Sequence, residues 1–288
     1  MSHAIQGDSM RTTRIALTVA ALVTLGTASN ADAQRMYNTA KQKMMSGQQI
    51  IGGTVDTPDP AIYCAMANSG FDFIWIEMQH SPLNYQDVAR MIWACKDAPA
   101  IPFIRIPDAT EGDIQKATDI GALGIIVPMV IDPQEMKNAV QWAKYPPMGI
   151  RSQGGGQYGA LWGRDYRQTA NDNIMIIAMI EQLEGVAAAD QIAAVEGVDA
   201  IFAASSDLSS FSGKRQGDPE YEQMITKIKT DTLGAGKGLG GPSAWRDREG
   251  FLFFQAPGTT TFIRQGVRAM LADAPEGVAA IEGTEPRD

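Results

Sequence analysis

The sequence contains few histidines. There are two in 288 residues, and because His3 precedes an apolar N-terminal run, His80 is the single histidine of the chain that follows that run. His80 comes shortly after an apolar, strand-like segment that ends in Glu77. A side chain that titrates near neutrality at a strand-to-loop junction is a candidate general base. The alternative interpretation is a histidine that closes a turn before Pro82.

The chain also lacks an excess of positive charge and the common nucleotide-binding motifs. Its 24 basic and 33 acidic residues give a net charge of −9, which argues against a nucleic-acid partner. No predicted strand is followed by a G-x-G-x-x-G turn, and the sequence has no G-x-x-x-x-G-K-[ST] loop. Neither dinucleotide binding nor P-loop binding is therefore predicted.

Long apolar runs are absent except for one near the N-terminus, at residues 15–26. Two arginines precede this run, and an A-x-A sequence follows it at residues 31–33. This order is typical of a secretory signal peptide, and the run is short for a membrane span. We expect residues 1–33 to be a signal peptide, with Met10 as an alternative start. The mature protein would be periplasmic or secreted, without a stable membrane span after cleavage. An uncleaved anchor is the alternative.

Cysteine is equally scarce. Cys64 and Cys95 lie in two separate helix-like segments. An oxidising compartment permits a disulfide between them if the two helices are neighbours. Two small buried residues without a disulfide are the alternative, and the sequence leaves both open.

After a polar, helix-like lead-in at residues 34–49, short apolar runs alternate with helical patterns. The runs are typical of strands buried on both faces of a parallel sheet: Ile50–Val55, Phe71–Glu77, Ile101–Ile106, Gly124–Pro128, Ile174–Ile180, Val198–Ala203, Lys237–Gly241 and Phe251–Gln255. The helical patterns are Pro60–Ser69, Tyr85–Ala98, Gly112–Ile120, Pro133–Lys144, Gly185–Val195, Pro219–Gly234 and Thr259–Ala272. This order predicts an α/β fold, a single (β/α)8 TIM barrel over residues 50–275, followed by a polar tail at 276–288. An open doubly wound sheet is the alternative.

One long stretch, Tyr145–Asn173, fits neither pattern and contains three consecutive glycines. Irregular segments of this length in a compact domain are usually functional. We predict an irregular loop that serves as a lid or as a subunit contact.

In a (β/α)8 barrel, catalytic groups lie at the carboxyl ends of the strands. Arg105 lies at the carboxyl end of the third predicted strand, where a guanidinium suits a carboxylate or a developing oxyanion. A rim salt bridge is the alternative. Asp119 ends a helix, where a negative charge is unfavourable to the helix dipole. A specific partner for Asp119 is therefore expected, and His80 is a candidate.

Glu181 and Asp207 each follow an apolar strand directly and have no basic residue nearby in sequence. Two carboxylates that face one cavity repel each other unless a positive charge lies between them. A hard divalent cation with oxygen ligands satisfies this requirement. The alternative is that Asp207 only caps the following helix.

These landmarks resemble the HpcH/HpaI aldolases, pyruvate-dependent class II aldolases of the phosphoenolpyruvate/pyruvate barrel superfamily. The resemblance covers roughly Gly52 to Ala272. The matching segments are Gly70-Phe71-Asp72, His80-Ser81-Pro82-Leu83-Asn84, Ile104-Arg105-Ile106-Pro107, residues 121–130, residues 145–151, Gly154-Gly155-Gly156, Ile180-Glu181, Gly197-Val198-Asp199 and Asp207-Leu208.

The resemblance implies a metal-dependent aldolase that joins a small 2-oxo acid to an aldehyde, or cleaves the product, through a pyruvate enolate. Glu181 and Asp207 would bind the divalent cation, Mg²⁺, Mn²⁺ or Co²⁺. Backbone amides near Ser206 and Asp207 would hold the substrate carboxylate.

The same resemblance makes His80 the general base, paired with Asp119, and makes Arg105 the group that stabilises the enolate. It also implies a homo-oligomer in which the helix Thr259–Ala272 is exchanged between subunits.

The chain departs from the family pattern at three places in the predicted site. Glu77-Met78-Gln79 replaces Asp-Gly-Glu before the histidine, Met179 replaces a glutamine, and Ala204-Ser205 replaces Gly-Pro. Two other functions therefore stay open: a lyase that acts on another 2-oxo or hydroxy acid at the same enolate site, and an exported barrel that binds a carboxylate without turnover. Binding alone does not need His80, which favours an enzyme.

Overall fold

The computed structural model describes Met1, His3 and residues 35–272. The predicted cleavage sequence at 31–33 and the predicted tail at 276–288 lie outside the described residues. Within the described part of the chain, no helix is both long enough and apolar enough to cross a membrane.

Eight parallel strands form a closed barrel in which each strand pairs with the next in chain order and the last pairs with the first. The strands are β1 (Ile50–Val55), β2 (Phe73–Glu77), β3 (Ile101–Arg105), β4 (Gly124–Val127), β5 (Met175–Ile180), β6 (Ala200–Ala203), β7 (Gly238–Pro242) and β8 (Phe253–Gly258). The predicted (β/α)8 barrel is confirmed, and the open sheet is wrong because β8 closes against β1.

The helices lie before β1, between the strands and after β8. They are α1 (Thr39–Met45), α2 (Pro60–Ala67), α3 (Tyr85–Ala94), α4 (Glu111–Asp119), α5 (Pro133–Ala143), α6 (Tyr158–Trp162), α7 (Tyr166–Asn173), α8 (Leu183–Ala187), α9 (Ala189–Ala193), α10 (Ser205–Ser212), α11 (Pro219–Gly234) and α12 (Thr259–Ala272). A short 3₁₀ helix, Ser243–Trp245, joins β7 to β8. Asp59, Asn84, Thr110 and Asp132 begin α2 to α5 by accepting backbone N–H groups with their side-chain oxygens.

Two sequence predictions for connecting segments were wrong. The predicted helix Gly185–Val195 is two short helices, α8 and α9. The predicted irregular segment Tyr145–Asn173 contains α6 and α7, and it connects the end of α5 to the start of β5. It therefore lies at the amino-terminal end of the barrel, so it is not a lid over the carboxyl ends of the strands.

Stacked aromatic rings fill the inside of the barrel. Phe73 on β2 stacks on Phe103 and Phe253, with ring centroids 4.6 and 4.9 Å apart. A glycine lies opposite each of these rings, because a Cβ there would overlap the ring; the pairs are Gly52 with Phe73, Gly124 with Phe103, and Gly240 with Phe253. Trp75 and Phe202 pack above this layer, 5.1 Å apart, and form the floor beneath the carboxyl ends of the strands.

A disulfide joins Cys64 in α2 to Cys95 at the end of α3, with a Cα–Cα distance of 5.4 Å. It connects two helices that lie next to each other on the outside of the barrel. The enclosed chain contains β2 and the turn that carries His80. The structure therefore favours the disulfide over two separate buried thiols.

Candidate active site

A cavity of about 230 Å³ opens at the carboxyl ends of the barrel strands. Four of the predicted site residues line it: His80, Arg105, Ser206 and Asp207. The wall also contains Phe202, Pro242 and Gln255, which were not predicted from the sequence. Their strand-end positions were the available signal, but an aromatic ring, a proline and an amide carry no distinctive chemistry by themselves.

Glu77 holds Arg105 in place from the neighbouring strand. Its carboxylate Oε2 accepts hydrogen bonds from Nε of Arg105 at 2.6 Å and from Nε1 of Trp75 at 3.1 Å, and it lies 2.5 Å from Nη2 of the arginine. Both charged side chains are less than one-tenth exposed. A buried ion pair is present, as the alternative interpretation of Arg105 anticipated. One guanidinium nitrogen, Nη1, nevertheless faces the weak acceptor sulfur of Met179 at 3.8 Å.

The other oxygen of Glu77 organises the turn that carries the histidine. Oε1 accepts the backbone N–H groups of Gln79 at 2.9 Å and His80 at 3.0 Å, and the Ser81 hydroxyl donates to the Glu77 carbonyl. The side chain of His80 is exposed, and its imidazole has no hydrogen-bond partner within the described chain. The imidazole is therefore free to take a proton from a molecule in the cavity. In the sequence, Glu77 was evident only as a departure from the family pattern, and this role was not predicted.

Glu181 and Asp207 come together beside the cavity. Glu181 follows β5 and is 1% exposed, and Asp207 lies in the first turn of α10 on the cavity wall. Burial, together with the charge of Asp207, raises the pKa of Glu181 to about 7, although the N–H of Met129 donates to its Oε1 at 2.5 Å. The charge of Arg105 acts in the opposite direction on Glu181, but no lysine or arginine among the described residues forms a salt bridge with either carboxylate.

This pair of carboxylates fits a divalent cation. Within residues 35–272, no three histidine, cysteine, aspartate or glutamate side chains converge on one potential metal position, either at this site or at another. Two protein oxygens, with the remaining positions open to water and substrate, suit a hard cation such as Mg²⁺. Glu181 and Asp207 are the residues that would hold it.

The first turn of α10 offers backbone donors to the same cavity. Its N-cap, Ala204, has no side-chain acceptor, so no side chain caps the helix. The free N–H groups of a first turn and the helix dipole favour an anion at this end. Ser205 and Ser206, which begin the helix, line the cavity. The predicted carboxylate position near Ser206 and Asp207 therefore has suitable donors.

The structure does not bring Asp119 to His80 within the chain. Asp119 ends α4, which runs back from the carboxyl end of β3 to the amino-terminal end of the barrel. Its carboxylate accepts hydrogen bonds from Arg151 and from Gln115, both at 2.8 Å. Arg151 is itself buried among three tyrosine rings. Asp119 has the specific partner that its position predicted, but within this chain that partner is Arg151.

The sequence is similar to those of known aldolases. The sequence model of the family described as HpcH/HpaI aldolase/citrate lyase matches residues 55–249. A hydroxypyruvate/pyruvate aldolase from Deinococcus radiodurans is 35% identical over 85% of this chain and 90% of its own length. A 4-hydroxy-2-oxo-heptane-1,7-dioate aldolase from Salmonella paratyphi C is 32% identical over 82% of this chain and 94% of its own length.

A solved structure agrees with these sequence relationships. It is an HpcH/HpaI aldolase/citrate lyase family protein from Burkholderia cenocepacia, 26% identical, with a TM-score of 0.75. The match covers 82% of this chain and 98% of that one.

Proposed function

The chain belongs to the HpcH/HpaI aldolase/citrate lyase family and is a carbon–carbon lyase, and we propose that it is a metal-dependent aldolase that works through a pyruvate enolate. The observation that carries this proposal is that one small cavity joins His80, Arg105 and Asp207 beside the buried Glu181. A free base, a guanidinium and two metal-ligating carboxylates are the groups that enolate formation requires.

The 2-oxo acid is oriented by the protein's own donors. Its carboxylate lies against the N–H groups that begin α10, at Ser206 and Asp207. When bound, a divalent cation held by Glu181 and Asp207 supplies positive charge that polarises the keto oxygen. Arg105 presents Nη1 toward that oxygen, because Glu77 occupies its other side and Met179 is only a weak acceptor.

The proton transfers use His80. Its neutral imidazole removes a proton from the methyl carbon of pyruvate, and the electron pair moves onto the keto oxygen as an enolate. The enolate carbon then attacks the aldehyde carbon, a C–C bond forms, and the C=O π bond of the aldehyde breaks. The keto C=O bond re-forms, and the new alkoxide takes the proton from the imidazolium of His80, which gives a 4-hydroxy-2-oxo acid. Cleavage runs through the same steps in reverse.

We also propose that the enzyme is exported and is a homo-oligomer. The disulfide between Cys64 and Cys95 supports an oxidising compartment, as the N-terminal sequence does. The outer face of α12 exposes Ile263, Val267 and Met270 at helical spacing, which supports a contact between subunits.

Aldol synthesis tests the proposed reaction. The purified protein is incubated with pyruvate, glycolaldehyde and Mn²⁺, and the five-carbon hydroxy-oxo acid is measured by chromatography. We expect product with Mn²⁺, none with a chelator, and at least about a hundredfold loss in Asp207→Asn. Glu196→Gln, which changes an exposed carboxylate away from the cavity, is the matched control and keeps activity. Pyruvate binding without product would instead support the carboxylate-binding alternative.

A further inference from the structure

We infer that the aldehyde partner is short, uncharged and hydroxylated, and that Gln255 selects it. This inference rests on the proposed function and adds the chemical class of the second substrate. It follows from the charges around the cavity and from one side-chain amide whose orientation the structure fixes.

No cationic side chain on the described part of the cavity wall is available to pair with a carboxylate of the aldehyde. Arg105 is the one arginine on the wall formed by described residues, and no lysine lines it. Glu77 neutralises this arginine at 2.5 Å. His80 must be neutral to accept a proton. The carboxylate of an acidic aldehyde would therefore lose its water without gaining a cationic side chain as its partner.

Hydrogen bonds across two strands fix the amide of Gln255. The hydroxyl of Thr54 donates to the carbonyl of Ala256 at 2.8 Å, so its oxygen can only accept from the side chain opposite. Nε2 of Gln255 is that donor, at 3.3 Å. The amide oxygen is thereby directed away from Thr54, and it has no hydrogen-bond partner within the described part of the chain.

Gln255 lines the cavity, so an amide oxygen turned away from Thr54 would discriminate between aldehydes by their chemistry. It accepts a hydrogen bond from a hydroxyl group, it gains nothing from a methyl group, and it repels a carboxylate. The remaining wall near the floor consists of the apolar side chains of Met179, Phe202 and Pro242. These side chains suit the carbon atoms of a small aldehyde.

Two matched pairs of aldehydes test the inference in the Mn²⁺-loaded enzyme with pyruvate. Butanal and succinic semialdehyde have four carbons each and differ in terminal charge. Glycolaldehyde and acetaldehyde have two carbons each and differ by one hydroxyl. We expect kcat/KM to favour butanal over succinic semialdehyde by at least about tenfold, and glycolaldehyde over acetaldehyde by about fivefold to tenfold.

Three variants assign the selectivity to one residue. Gln255→Leu, which removes the acceptor, should abolish the preference for glycolaldehyde, and Thr54→Val should weaken it by releasing the amide. Gln255→Arg should shift the ratio toward succinic semialdehyde by at least about tenfold. Each readout is a ratio of two kcat/KM values within one protein, so it does not depend on the amount of folded enzyme.

Equal use of butanal and succinic semialdehyde overturns the inference, as does an unchanged glycolaldehyde preference in Gln255→Leu. Deuteration of the pyruvate methyl group in D₂O, measured on the unaltered enzyme without any aldehyde, tests the proposed function separately from the aldehyde selectivity. Deuteration with no aldehyde selectivity rejects this inference alone. Absence of deuteration rejects the proposed function and this inference with it.

Discussion

Glu77 and Arg105 occupy paired positions on β2 and β3, and their side chains form a buried ion pair at 2.5 Å. The same carboxylate accepts the backbone N–H groups of Gln79 and His80. One buried side chain therefore orients both the guanidinium and the turn that carries the imidazole. The family pattern has an aspartate at this position. In this chain the glutamate contacts both groups.

Replacement of Glu77 by glutamine should reduce both stability and activity. The substitution leaves the buried charge of Arg105 without its partner, which costs about 3–5 kcal/mol of unfolding free energy in comparable buried pairs. We expect this loss in urea unfolding, together with a lower kcat. Glu77→Asp is the control, because it keeps the charge and shortens the reach. A glutamine variant with unchanged stability and kcat would contradict the role assigned to Glu77.

Metal affinity should depend on pH near neutrality. Burial and the neighbouring Asp207 raise the pKa of Glu181 to about 7, and a cation must displace the proton held by this group. Above pH 7 the affinity for Mn²⁺ should be constant, and below pH 7 it should fall by up to about tenfold per pH unit. Calorimetric titration between pH 5.5 and 8.5 measures this. A constant affinity across the range would argue against Glu181 as a ligand.

The disulfide should contribute measurably to stability. Cys64 and Cys95 are 31 residues apart in sequence, and cross-linking a loop of this length stabilises a fold by about 3–4 kcal/mol on the chain-entropy account. We expect the double variant Cys64→Ser/Cys95→Ser to lose about this much in urea unfolding. Reductant should destabilise the unaltered protein and leave the double variant unaffected. Equal sensitivity of the two proteins to reductant would rule out this contribution.

The buried Lys144 should make stability rise with pH. Burial lowers its pKa to about 7, although its ammonium donates to the carbonyls of Asn171 at 2.6 Å and Ile174 at 2.5 Å. The unfolded chain keeps the ordinary value of 10.5. Between these two values the unfolded state binds one more proton than the folded state, so the free energy of unfolding increases with pH.

Lys144→Met removes this titration. The unfolding free energy of the unaltered protein minus that of the variant should therefore increase from pH 7 to pH 9, as measured by urea unfolding. A difference that is constant over this range would show that Lys144 does not titrate there.

The strands were predictable because burial on both faces makes each one a continuous apolar run. β1 was predicted with its observed bounds, and the other strands differ by a few residues at their ends. The segment from Tyr145 to Asn173 was less predictable, because its order depends on contacts between residues that are far apart in sequence. Asn171, for example, exchanges hydrogen bonds with the backbone of Tyr145, 26 residues earlier.

In the candidate site, too, some residues could be predicted from the sequence and some contacts could not. His80, Arg105 and Asp207 could be selected because each lies at or shortly after the end of a strand, and strand ends converge in a barrel. The role of Glu77 could not, because it depends on the pairing of β2 with β3, which places Arg105 beside it across 28 residues of sequence. The pairing of Asp119 with His80 failed within the chain, because the direction of α4 carries Asp119 to the opposite end of the barrel.

Deuterium exchange into pyruvate tests the central claim most directly, because it isolates proton removal from every later step. The protein is incubated with pyruvate and Mn²⁺ or Mg²⁺ in D₂O, and loss of the methyl proton signal is followed by NMR. We predict exchange that stops when a chelator is added and that falls at least about a hundredfold in His80→Ala. If the methyl group kept its protons with every divalent metal tried, the proposed enolate chemistry would be contradicted.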